Sequence, residues 1–369
     1  MAASQYYIDP SIDAASGAGT IGDPYGDLQH ALDTVTRNTS NGDQMNIKAG
    51  TAEVLTAAIS LATYGTPDGN HPLTFRGYTS ALADGGIGEI SGAATYSIFS
   101  SSTNGIRFVD MHFTNSGAST IVTTGSNCVF LNCEFDNTSG GGLVGSYETL
   151  VSNCYFHNIG AIGLVLETGL VIDCVFETGS GNDFTVAIET NQQQNVIDRC
   201  IFILAGSAIG IQLDAAACRV VNNTLYATTG TGTAIKSTVW FANVQTIENN
   251  YIEGFSGVGG VGINTESDVF GDGGYIVRNN KYYNNTTNES LSGLNVIYEN
   301  NAAVGSSALT NPGTGDFSVG TDLKAAGFPT AFNGISTNQF IDVGAAQREE
   351  VAAAAAIVLQ GRHNVLLRR

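Results

Sequence analysis

Apolar and polar positions alternate in short runs along most of this chain, and from Phe108 to Tyr282 the alternation is tied to one returning phrase. It reads Leu131-Asn132-Cys133-Glu134-Phe135, Ser152-Asn153-Cys154-Tyr155-Phe156, Ile172-Asp173-Cys174-Val175-Phe176 and Asp198-Arg199-Cys200-Ile201-Phe202. It continues as Val221-Asn222-Asn223-Thr224-Leu225, Glu248-Asn249-Asn250-Tyr251-Ile252 and Arg278-Asn279-Asn280-Lys281-Tyr282, with Val109-Asp110-Met111-His112-Phe113 as a looser first copy. From Met111 to Asn280 the third residue returns after 22, 21, 20, 26, 23, 27 and 30 residues. Period-two alternation predicts strands, and the variable Gly/Ser/Thr spacers predict loops. A period in the twenties predicts a solenoid, whose coils bury apolar surface only against their neighbours. Equivalent residues then form columns: Phe giving way to Leu, Ile and Tyr, and Cys giving way to Asn, preceded mostly by Asn or Asp. Stacked amides at a tight corner can hydrogen-bond along such a column.

Each phrase is followed by a spacer and a second predicted strand, such as Gly163-Leu164-Val165-Leu166-Glu167, Val186-Ala187-Ile188-Glu189 and Ile211-Gln212-Leu213-Asp214. Residues 1–50 read as an N-terminal cap and first coil. Leu28, Ala31, Leu32 and Val35 make one helical face suited to covering the open end of a solenoid. Residues 51–300 read as the body, with less regular coils up to residue 107. Residues 301–347 change character and end in Phe340-Ile341-Asp342-Val343-Gly344-Ala345. Residues 348–369 are an Ala-rich basic tail that holds 4 of the 14 Lys and Arg residues.

On these repeats the chain resembles the right-handed parallel β-helix proteins of the pectate-lyase-like class, and the resemblance covers nearly all of it. The opening helix and the closing Ile-Asp-x-Gly-Ala phrase also resemble the ends of such proteins. The resemblance implies an all-β parallel solenoid, a scaffold that carries lyases, hydrolases, spikes and rods alike.

Charge and cysteine usage narrow the picture. With 33 acidic against 14 basic residues the net charge is −19, which argues against nucleic acid as a partner. No apolar stretch is long enough to span a membrane. The start, from Met1 to Tyr6, has no charged leader followed by an apolar run, so export by that route is not expected. The six cysteines fall in columns, Cys133, Cys154, Cys174 and Cys200 in one, Cys128 and Cys218 in another. They read as small buried core residues rather than metal or redox ligands.

Candidate chemistry is sparse. Glu167, Glu189 and Asp214 each close a second strand, followed by Lys236 and Asn264, and are expected to form one column. Carboxylates stacked about 5 Å apart could serve glycoside cleavage or bind a cation, calcium included. Arg199 and Arg219 carry no lyase motif and are expected to pair with the neighbouring Asp198 or with corner carbonyls. His30, His71, His112, His157 and His363 show no metal-ligand spacing, so no metal site is predicted. Tyr155, Tyr251, Tyr282 and Tyr283 are candidates to stack on sugar rings. The tail residues Arg362, Leu366, Leu367, Arg368 and Arg369 are candidates for docking a partner. The expectation drawn from these features is a virion or appendage protein, such as a bacteriophage tail spike or head decoration protein. Its predicted partners are other virion proteins or its own copies, a homotrimer among the options, and cell-surface polysaccharide, with no cofactor required. The alternatives are a polysaccharide lyase or glycoside hydrolase, and an extracellular sugar-binding adhesin.

Overall fold

The computed structural model describes residues 3–319, apart from 14–16, 101–102, 118–119, 139, 180–183, 215–216, 239–243, 267–273, 293–294 and 313–315. The predicted closing phrase and the tail at 348–369 lie outside the described residues.

The chain is a right-handed parallel β-helix. Each coil contributes to three sheets, which among the described residues contain 12, 11 and 9 strands. The first sheet starts with Ser4–Ile8 and Asp43–Lys48 and runs through Val129–Leu131 to Asn295–Glu299. The second runs from Glu53–Val54 through Glu134–Thr138 to Ala302–Ala303, and the third from Phe99–Ser100 to Thr287–Leu291. Ser4–Ile8 pairs in parallel with Asp43–Lys48, so the predicted cap region already belongs to the solenoid. Helix α1, Leu28–Thr34, forms where predicted, with Asp27 capping it by accepting from the His30 N–H at 2.6 Å. Its buried face of Leu28, Ala31 and Leu32 joins the same core as Ile8 and Met45.

The repeated phrase is a corner between two sheets, not a single strand. In the coil at Asn132, the first-sheet strand ends at Leu131, Asn132 turns the chain, and the second-sheet strand starts at Glu134. The turning residue is left-handed in every coil from Asp110 to Asn300. Asp110, Asn132, Asn153, Asp173, Arg199, Asn222, Asn249, Asn279 and Asn300 all have φ between 53° and 59°. Asn and Asp tolerate this region best among residues with a side chain, which explains the column. Arg199 occupies it by forming a fork on Asp173 at 2.8 and 3.1 Å and a 2.6 Å contact to Asp198.

The residue after the corner points inward and meets one backbone carbonyl of the coil before it. The thiols of Cys133, Cys154, Cys174 and Cys200 face the carbonyls of Phe108, Phe130, Val151 and Val171 at 3.6 to 3.8 Å. In later coils Asn replaces Cys and does the same work with a stronger donor. Asn223, Asn250 and Asn280 donate to the carbonyls of Ile197, Val220 and Ile247 at 3.0 Å, and each amide also donates to the next along the column. All six cysteines are buried free thiols, as the column reading requires.

Inside, the Phe column packs ring on ring. Phe135, Phe156, Phe176 and Phe202 stack with centroids 4.6 to 5.0 Å apart and planes within 7°. Each ring is fully buried, so the strand on either side of it is fixed in register.

Two predictions test this framework. Asn250→Ala leaves the buried Asn223 N–H without its side-chain acceptor and removes the amide donor to the Val220 carbonyl, and should lower stability by about 2–4 kcal/mol in urea denaturation. Asn250→Cys, which restores the occupant of the earlier coils, should lose less.

Glu53 offers a pH test. Burial and the neighbouring Asp27 charge push its carboxyl up to about 7, while the Leu28 N–H donates to it at 3.4 Å. Its folded value lies above the unfolded one, so the folded state keeps a proton that the unfolded chain releases. The stability it contributes is full below about pH 4.5 and is lost as pH rises toward 7. Glu53→Gln should therefore gain about 2 kcal/mol on the wild type between pH 5.5 and 8, measured by chemical denaturation.

Candidate functional site

Because Phe113, Phe135, Phe156 and Phe176 point inward, the residues beside them in the second sheet alternate outward. Register places Glu89, His112, Glu134 and Tyr155 in one outer column. Thr114, Asp136, His157 and Glu177 follow in the next, two residues along. Parallel coils thus gather two histidines, four acids and a tyrosine whose sequence positions are 20 or more residues apart coil to coil.

The contacts are close. His112 Nε2 lies 3.2 Å from Asp136 Oδ1 and 3.9 Å from Glu134 Oε1, and its Nδ1 faces Glu89 Oε2 at 4.0 Å. His157 Nε2 reaches Glu134 Oε1 at 2.9 Å and Asp136 Oδ2 at 3.7 Å. The Asn158 amide donates to His157 Nδ1 at 2.9 Å, which leaves the ring proton on Nε2, pointing at Glu134. Tyr155 stacks on the His157 ring with centroids 4.2 Å apart and donates its hydroxyl to Glu177.

Charge in the patch is mutually supported. Burial opposes protonation of His112, but its close contact with Asp136 and the charges of Glu134 and Glu89 outweigh it and raise its pKa. The His157 hydrogen bond holds Glu134 below the ordinary carboxylate range despite burial. For Asp136 burial acts upward, and the contacts with His112 and Thr114 overcome it, so its pKa is lowered. One ligand atom each from His112, Glu134 and Asp136 lie within 4.8 Å of one another, a grouping able to hold a metal ion. Sequence spacing had predicted no such grouping, since its members sit on different coils and not within one motif. The signal was present as the two residues flanking each Phe of the repeat, read across coils.

The residues predicted to form a catalytic column divide between two registers of the third sheet. Glu189 aligns with Val165, Gln212, Lys236 and Asn264. Glu167 and Asp214 follow Leu166 and Leu213, which align through Thr190, so these two acids sit one residue further on and are separated by the coil of Asn191. The strands end one residue apart in register, which sequence spacing alone cannot reveal. Glu167 accepts from Ser146 Oγ at 2.7 Å, Asp214 accepts from Gln212 at 2.6 Å and from Thr238, and Lys236 pairs with Glu266 at 3.1 Å. Burial and the Asp214 charge raise the pKa of Glu189.

The tyrosines also divide. Tyr155 and Tyr283 are half-buried on the outer face, whereas Tyr251 and Tyr282 are buried and unable to stack on a sugar. Tyr282 points into the solenoid core, where the apolar column of the phrase runs. Tyr251 faces outward but lies under the antiparallel pair Leu309–Asn311 and Asp316–Val319. Ala308, Leu309 and Phe317 pack with it against Ile201, Ile203, Tyr226 and Tyr283. The Tyr251 hydroxyl accepts from the Ala308 N–H at 2.9 Å and donates to Glu253 at 2.6 Å. The outer face of the second sheet is therefore covered over its later coils and carries the ionisable patch over its earlier ones. The docking candidates Arg362, Leu366, Leu367, Arg368 and Arg369 lie outside the described residues.

Comparison with known proteins agrees with this architecture. Residues 96–243 match the family model for the right handed beta helix region. Pectate lyase Pel9A is similar over 94% of this chain and 97% of its own, with a TM-score of 0.62 and 14% identity. A glycoside hydrolase is similar over 81% of this chain and 96% of its own, with a TM-score of 0.50 and 10% identity. At these identities the likeness establishes the shared fold. No curated protein matches the sequence.

Tyr251→Phe tests the covering hairpin. It removes both hydrogen bonds of the hydroxyl, should cost about 1–2 kcal/mol, and should make residues 304–319 the first site of limited proteolysis while the solenoid stays intact.

Proposed function

We propose that this chain cleaves a polysaccharide laid along the outer face of its second sheet, across the coils of His112, Glu134, His157 and Glu177. The observation that carries this reading is the convergence of His112, Glu134, Asp136 and His157 at contacts of 2.9 to 3.9 Å on the outer face of the second sheet. Such a group supplies carboxylates and imidazoles that can take and give a proton at a glycosidic linkage. Tyr155, held flat against His157, offers an aromatic surface beside them. The resemblance of fold to a pectate lyase and a glycoside hydrolase supports the substrate class by analogy. With a net charge of −19 and four acids in the patch, an uncharged glycan is favoured over a polyuronate.

The virion or appendage reading depends chiefly on residues 348–369, outside the described residues, and no contact among the described residues favours it over the enzymatic one. The third-sheet acids Glu167, Glu189 and Asp214 are the competing site.

The test is release of reducing ends and of ultraviolet-absorbing unsaturated ends from a panel of neutral and acidic polysaccharides. Glu134→Gln and Asp136→Asn should each reduce cleavage by about 100-fold or more, with circular dichroism showing that each variant remains folded at the assay temperature. Full activity in the Glu134→Gln, Asp136→Asn double variant, with loss in Glu189→Gln, would move the site to the third sheet. No cleavage of any glycan by the wild type would refute the enzymatic reading and leave the rod of a virion or adhesin.

A further inference from the structure

We infer that His112, Glu134 and Asp136 bind a divalent transition ion of the zinc or manganese type, with at least one coordination position left open. The inference deepens the polysaccharide reading, since it concerns the same face, but it is measured without any glycan.

Three observations converge on it. The first is geometry. One ligand atom from each residue falls within 4.8 Å of the other two, a spread that bonds of about 2.0–2.2 Å span after small side-chain adjustments. The three side chains project from two neighbouring strands whose inward Phe113 and Phe135 are fully buried, so the donors are held by the core and not by a loop.

The second is unmet polarity at the centre of the group. His112 Nε2 and Asp136 Oδ1 are both sealed from solvent, and although 3.2 Å apart they are not aligned for a hydrogen bond. Buried polar atoms are almost always hydrogen-bonded, and two that face each other at ion-pair distance without a hydrogen bond leave lone pairs free for a shared partner between them.

The third is the surrounding shell. A metal-bound imidazole commonly has a carboxylate at its other nitrogen, and Glu89 faces His112 Nδ1 at 4.0 Å. A metal-bound carboxylate is commonly hydrogen-bonded in turn, and His157 Nε2 meets Glu134 at 2.9 Å, its proton placed there by Asn158. The ion class follows from the donors. An imidazole nitrogen with two carboxylates suits zinc, manganese or iron(II), whereas calcium takes six to eight oxygens. Two carboxylates and a neutral imidazole balance a divalent charge, and three protein donors leave room for water or a substrate oxygen.

The experiment is isothermal titration of the full chain, dialysed against chelator, with zinc chloride, manganese chloride and calcium chloride in turn. Circular dichroism confirms the fold of each variant. The expected result is one high-affinity zinc or manganese equivalent, weakened more than about 100-fold in His112→Ala and in Glu134→Gln, with no competition from equimolar calcium. Glu89→Gln, which keeps all three donors, should weaken binding by about tenfold. Absence of a stoichiometric equivalent, equal affinity in His112→Ala, or preference for calcium would each overturn the inference. A glycan-cleaving wild type that takes up no ion would sink the metal site while leaving the polysaccharide reading standing.

Discussion

In-register stacking of one coil on the next is the constraint on which the rest of this molecule depends. A parallel coil can align with its neighbour only if every coil turns at the same place, and here the turn is a single left-handed residue repeated from Asp110 to Asn300. The position after it seals the corner by meeting a carbonyl of the preceding coil, first with a thiol and then with an amide. Once these two positions are set, the Phe column falls into one line and the outward residues fall into two more. Loops between the sheets vary in length without disturbing that alignment.

The same alignment creates chemistry on the outside. A solenoid multiplies a position along its axis, so one residue per coil becomes a row of side chains about 5 Å apart. On the second sheet the rows begin with Glu89, His112, Glu134 and Asp136 and are both apolar by the coil of Ile201 and Ile203. The apolar stretch is covered by the hairpin containing Leu309 and Phe317, and the polar stretch is accessible. One continuous surface is thus divided into a docking area for the chain's own later segment and an area where ionisable groups meet.

The likeness to a pectate lyase and a glycoside hydrolase reaches across nearly the whole solenoid, yet it fixes the scaffold alone. Function on such a scaffold depends on which side chains the columns present. On the second sheet the ionisable group mixes imidazole with carboxylate, and its partners support one another: Asn158 sets the His157 tautomer, His157 holds Glu134, and Glu89 faces His112.

The sequence by itself determined the coil. The recurring Asn-Cys or Asn-Asn pair, the inward Phe and the Gly/Ser/Thr spacers announced strands, corners and columns, and the N-terminal helix could be placed from Leu28, Ala31 and Leu32. These features are local and repeat, so they are legible without contacts. Only the tertiary structure decided the register of each sheet, because loop lengths between strands differ from coil to coil. That register put Glu189 one position away from Glu167 and Asp214, and the fold buried Tyr251 under a hairpin more than 50 residues later, whereas the inward place of Tyr282 follows from its position in the repeated phrase. It also brought His112, Glu134, Asp136 and His157 together, a group invisible in linear spacing because coil stacking, not chain proximity, makes its members neighbours.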